Sequence, residues 1–160
     1  MLRPATATDT DALVTLTAGT GFFKPLELDA LREVLDDYHA GNADAGHRCF
    51  VCEEAAGLLG YVYYAPAPMT DRTWYLYWIA VDAGRQGHGL GGTLLAFVED
   101  DVKGQGGRLL LIETSSTPHY EPTRRFYRKY GYDQPATIPD FYADGDGLVV
   151  FSKRLARPAE

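Results

Sequence analysis

Residues Gln86 to Gly92 read QGHGLGG, four glycines in seven positions. They follow the apolar run YLYWIAV (Tyr75–Val81) and lead into a segment where Leu90, Leu94, Phe97, Val98 and Val102 recur at helical spacing. The chain must leave a strand, turn at once and enter a helix whose first amides have no carbonyl to bond. Glycines there remove the Cβ atoms that would keep a ligand from the amides. The positive end of the helix dipole favours an anion at the same place. The stretch is legible in two frames. Gly87, Gly89 and Gly92 spell G-x-G-x-x-G, a dinucleotide fingerprint, whereas Gln86, Gly89 and Gly91 spell Q-x-x-G-x-G. A Walker loop is excluded because no Gly-Lys-Ser/Thr follows. A third reading is a glycine-rich turn with no ligand.

The rest of the chain weighs on the choice. Glu113 stands 21 residues past Gly92, near where a ribose-binding acid belongs in the dinucleotide frame. A dinucleotide sheet, however, needs two βαβαβ halves, and only 68 residues follow Gly92. Upstream, an opening strand (2–5), a helix capped by Thr8 or Asp9 and carrying Leu13 and Leu16, and a helix over 26–38 precede strands at 48–53, 58–65 and 74–81. That antiparallel meander does not belong before the first strand of a dinucleotide fold. Downstream, Gly104 stops the loop's helix, a strand covers 109–114, Pro122 opens a short helix closed by Gly131, and strands follow near 132–138 and 148–153. The expected fold is α/β with a mixed sheet, in the order β-α-α-β-β-β-α-β-α-β-β. At 160 residues it is expected to be a single domain over 1–160.

A formal net charge of −7 argues against nucleic acid as the main partner. No apolar run approaches the ~20 residues of a membrane span and the N-terminus has no signal-like apolar stretch, so no membrane partner and a cytoplasmic location are expected. Cys49 and Cys52 lie at i, i+3 in a strand-like run, on opposite faces, without two further zinc ligands nearby; they read as small buried hydrophobes, and no metal is expected.

IAVDAGRQGHGLGGTLL resembles motif A of the GNAT superfamily of N-acetyltransferases, an apolar strand followed by R/Q-x-x-G-x-G/A and an amphipathic helix. EPTRRFYRKYGY resembles the family's motif B helix, with Tyr127, Gly131 and Tyr132 at the matching places; LRPATATDTDAL and DFYADGDGLVVFSKRL resemble its opening and closing elements. The resemblance covers nearly the whole chain and implies a GNAT-type acyl-CoA N-acyltransferase fold. It also implies an enzyme that moves acetyl from acetyl-CoA to a primary amine of a small molecule or peptide, by direct attack in a ternary complex. A catalytically silent acyl-CoA-binding regulatory module is the alternative, and a homodimer is compatible with either.

Site residues follow from the same resemblance. The backbone of Ile79, Ala80 and Val81 would pair with the pantetheine arm. An amide near Trp78 or Ile79 would face the oxyanion. Gln86, Gly87, His88, Gly89, Leu90, Gly91 and Gly92 would hold the pyrophosphate. Tyr127 matches the general acid that protonates the leaving thiolate, although packing beside Phe126 and Tyr130 also explains it. The strand glutamate that many protein-acetylating members use as base is replaced by Tyr75. Glu113, at the end of an apolar strand and facing a cleft, is expected to act as base directly or through water, with a raised pKa. Tyr120 is a candidate heir to an asparagine that ribosomal-protein acetyltransferases carry. Arg85, Arg124, Arg125, Arg128 and Lys129 are candidate phosphate contacts. Phe22, Phe23, Tyr63 and Tyr77, with Trp78 and Tyr142, are candidate walls of an acceptor pocket suited to a cation.

Overall fold

The computed structural model describes residues 1–155; the last five residues of the expected single domain lie outside the described residues. The elements are β1 (Leu2–Pro4), α1 (Thr10–Gly19), α2 (Pro25–Asp37), β2 (Arg48–Glu54), β3 (Gly57–Pro66), β4 (Thr73–Val81), α3 (Leu90–Gly104), β5 (Leu109–Ser115), α4 (Glu121–Lys129), β6 (Asp133–Ala143) and β7 (Asp146–Arg154). Their order is the expected one, and the fold is mixed α/β. The hydrogen-bonded strand order is β1-β2-β3-β4-β5-β7-β6. The chain divides into two compact units, Met1–Pro66 with Tyr77–Val98, and Ala67–Leu76 with the chain from Glu99 onward.

In the first unit β1, β2 and β3 form an antiparallel meander, with Leu2 opposite Cys52 and Cys49 opposite Tyr63. Leu13, Leu16, Leu31, Leu35 and Tyr38 of the helical segments bury against Cys49, Val51, Tyr61, Tyr63 and Ala80. Apolar residues at i, i+3 and i+4 on each helix supply this face. Both cysteines are free and buried, and burial pushes the Cys49 thiol up to about 12. The buried Tyr61 hydroxyl meets Thr17 Oγ1 at 2.7 Å, so this core phenol is partnered. Asp9, one of the two expected caps, is the N-cap residue of α1, but its side chain makes no cap bond to that helix. A 3₁₀ turn over Ala7–Asp9 precedes the helix, and the Asp9 carboxylate turns back to the Thr6 amide (2.8 Å) and to Arg3 (2.8 and 3.0 Å). Arg3 also donates to Glu53, joining β1, β2 and the start of α1.

In the second unit β5 pairs in parallel with β4 over Thr73–Tyr75 and antiparallel with β7 along its length. Leu110, Ile112, Leu148, Val149 and Phe151 are buried. Lys153 Nζ and the Tyr132 hydroxyl both donate to Glu99, at 2.9 and 2.8 Å, tying the end of α3 to the closing hairpin. β6 runs to Ala143, five residues beyond the expected end, and is exposed throughout. With neither face buried it has no two-residue hydrophobic alternation to read.

Candidate active site

The glycine loop lies in the first unit. Asp82 builds its entry. Its amide donates to Leu59 O (2.7 Å), its carboxylate accepts from the Gly84 amide (3.1 Å) and its carbonyl accepts from the Arg85 amide (2.8 Å). Gln86 folds its side-chain amide back onto Val81 O at 3.2 Å, and the His88 ring lies 3.0 Å from Gln86 O. Gly87 and Gly89 have φ of +80° and +82°, where a side chain is strained, and a Cβ on either would enter open space. Gly87, unspecified in the Q-x-x-G-x-G frame, is thus required by its backbone as well. The first rung of α3 is Thr93 N–H to Gly89 O at 3.1 Å. The amides of Leu90, Gly91 and Gly92 therefore lie ahead of the helix ladder, and those of Gln86, Gly87, His88 and Gly89 make no hydrogen bond to a described residue. A row of free amides on an open loop at a helix N-terminus fits a diphosphate.

The same unit holds most of the expected acceptor aromatics. Phe23 packs against Trp78 with ring centroids 5.5 Å apart. Tyr63 meets Tyr38 at 5.6 Å and Tyr77 at 6.4 Å, and its hydroxyl lies 2.6 Å from His47 Nδ1. Burial lowers the His47 pKa, so the neutral ring can accept from the phenol. Tyr63 is 2% exposed and Tyr77 is 50% exposed, so Tyr77 carries the surface of this aromatic group while Tyr63 lies in the core behind it. Phe22 is half-buried. In β4, Ala80 is buried, and Ile79 and Val81 are half-buried.

In the second unit Tyr127, on α4, packs its ring against Phe126, Tyr132 and Phe151 at 5.3 to 5.9 Å. Its hydroxyl makes no hydrogen bond to a described residue. Burial pushes the phenol pKa well above its ordinary value, which keeps the proton in place at neutral pH. The expected position of Glu113 is corrected. It is an exposed residue within β5, opposite Val150, with two more strand residues after it. Its partner is Tyr75 of β4, whose phenol is held above the usual value by burial and by Glu113. Sequence reading named both residues and missed the pairing, which the β4–β5 register alone reveals.

The basic cluster separates by environment. Arg124 is buried and spends its guanidinium on Ser115 O (2.7 Å), Thr117 O (2.8 Å) and Glu121 (2.9 Å), so it is a brace and not a phosphate contact. Arg128 pairs with Gln134 and Glu121. Arg85 pairs with Glu54 at 2.7 Å. Lys129 lies over the Tyr130 ring, and Arg125 is exposed without an ion pair among the described residues. Tyr120 ends the 3₁₀ turn before α4, against His119. Tyr142 is half exposed beside Phe141. No group of three or more His, Cys, Asp or Glu among the described residues could hold a metal, and no described helix is long and apolar enough to cross a membrane.

Comparison with known proteins agrees with this architecture. The acetyltransferase (GNAT) domain family matches residues 45–134. A protein from Desulfovibrio desulfuricans assigned to the GNAT family of acetyltransferases has a crystal structure similar to this one. The TM-score is 0.93 at 38% identity, with 98% of this chain and 99% of that chain covered. The ribosomal-protein-S18-alanine N-acetyltransferase of Escherichia coli gives a TM-score of 0.81 at 15% identity, covering 100% and 96% of the two chains. An aminoglycoside 6'-N-acetyltransferase complexed with coenzyme A gives 0.78 at 16%, covering 100% and 99%. At these identities the last two speak for the fold alone. A comparison with functionally curated proteins found no sequence match. The fold is that of acyl-CoA N-acyltransferases. By the domain match and the 38% identity over nearly its whole length, the chain belongs to the GNAT family of acetyltransferases.

Proposed function

We propose that the protein transfers an acetyl group from acetyl-CoA to a primary amine by direct attack in a ternary complex. The observation that carries this is the row of free amides from Gln86 to Gly92 at the head of α3, on a loop whose glycines leave the approach open. It would hold the cosubstrate's pyrophosphate, with the backbone of Ile79, Ala80 and Val81 pairing with the pantetheine arm. The amine nitrogen forms its bond to the thioester carbon and the carbon–sulfur bond breaks. The ammonium proton goes to Glu113, directly or through water. Tyr127 gives its hydroxyl proton to the departing thiolate and regains one from solvent. A high phenol pKa suits that role, because the donor stays protonated until a thiolate appears. Phe22, Phe23 and Tyr77 would line the acceptor side, in front of Tyr63, and would suit a cationic amine.

The test is thiol release from acetyl-CoA with a panel of polyamines, amino acids, aminoglycosides and peptide N-termini. Release well above the amine-free rate with at least one class is expected. Binding of acetyl-CoA without release for any amine would favour the silent regulatory module.

A further inference from the structure

Tyr75, which stands about where the resemblance puts the strand glutamate of many protein-acetylating members, is the described partner of Glu113. Tyr75 is register-paired with Leu111 in the parallel β4–β5 ladder. Glu113 lies two residues further along β5 and so on the same face. A diagonal of that kind is within reach of a tyrosine side chain. A side-chain hydrogen bond joins the two, the phenol donating to the carboxylate. Both are mounted on strands: β5 is held by β4 over Leu109–Leu111 and by β7 along its whole length. On β7 the residues beside Glu113 are Val150, flanked by Leu148 and Ser152, none of them charged. Asp146, at the start of β7, accepts from the Ser115 hydroxyl at 2.5 Å.

We propose that Tyr75 is a positioning residue for the acceptor-deprotonating step: its hydroxyl fixes one carboxylate oxygen of Glu113 and leaves the other to take the amine proton. This rests on Glu113 acting as base. A strand carboxylate that is exposed samples several rotamers, and one hydrogen bond from a half-buried phenol selects among them.

The experiment combines kinetics with a titration that needs no acceptor. With the best amine of the panel, Glu113→Gln is expected to lower kcat/KM by about 10²-fold. Tyr75→Phe is expected to lower kcat severalfold with little change in KM. By NMR of 13C-labelled tyrosine, one resonance absent in Tyr75→Phe is expected to titrate above the ordinary phenol range in the wild type and closer to it in Glu113→Gln. If Glu113→Gln keeps full activity, the base assignment fails. If it loses activity while Tyr75→Phe retains the wild-type kcat, the inference about Tyr75 is overturned and the base assignment stands. A Tyr75 resonance unmoved by Glu113→Gln overturns the pairing itself.

Discussion

The Tyr127 ring is held between Phe126, Tyr132 and Phe151 while its hydroxyl has no described partner, so packing fixes the ring and leaves the proton free for chemistry. Tyr127→Phe keeps the packing and removes the proton. It is expected to lower kcat by roughly 10²-fold or more while acetyl-CoA affinity stays near that of the wild type. Steady-state thiol release beside calorimetric binding checks this, and an unchanged kcat would remove Tyr127 from the mechanism. A second residue-scale prediction concerns Asp9. Its carboxylate is held down from 3.8 to about 2, chiefly by the Arg3 hydrogen bond. A depressed folded pKa contributes stability that is complete above the unfolded value and disappears as pH falls toward the folded one. Asp9→Asn should therefore cost about 2 kcal/mol at neutral pH. The gap to wild type should close as pH drops from near 4 to near 2, as read by urea denaturation at each pH.

Among the elements, the loop and β3 use glycine for different reasons, and substitution separates them. Gly89 has φ +82° with nothing near its missing Cβ, whereas a Cβ on Gly60 would lie 2.8 Å from Ala80 O and 3.0 Å from Leu94 Cδ1. Gly89→Ala is expected to cost about 1 kcal/mol of stability from backbone strain and to weaken acetyl-CoA binding by roughly tenfold or more. Gly60→Ala overpacks β3 against β4 and α3, and is expected to cost about 1–3 kcal/mol by denaturant unfolding. Element identity was legible where a face is buried. The stripe on α3 and the apolar strand β5 marked themselves by periodicity. β6 was read five residues short because both its faces are exposed; Asp9 holds the N-cap position of α1 as expected, but its carboxylate turns to Arg3, a residue outside the helix.

For the whole molecule, a ligand that binds only the folded state raises its stability by an amount set by concentration over Kd, about 2.7 kcal/mol at a hundredfold excess. Acetyl-CoA is expected to raise Tm by several degrees and NAD to leave it unmoved; stabilisation by NAD alone would reverse the choice of frame at QGHGLGG. The sequence by itself determined the order of eleven elements, the glycine loop, and the short helix that carries Tyr127, because each is written in local periodicity or short spacing. The tertiary structure alone decided that Arg124 braces the chain inside, that Tyr77 and not Tyr63 carries the exposed aromatic surface, and that Glu113 is met by Tyr75. Those outcomes depend on which residues of distant segments come side by side, and a strand's pattern records which of its faces is buried but not the register of its neighbour.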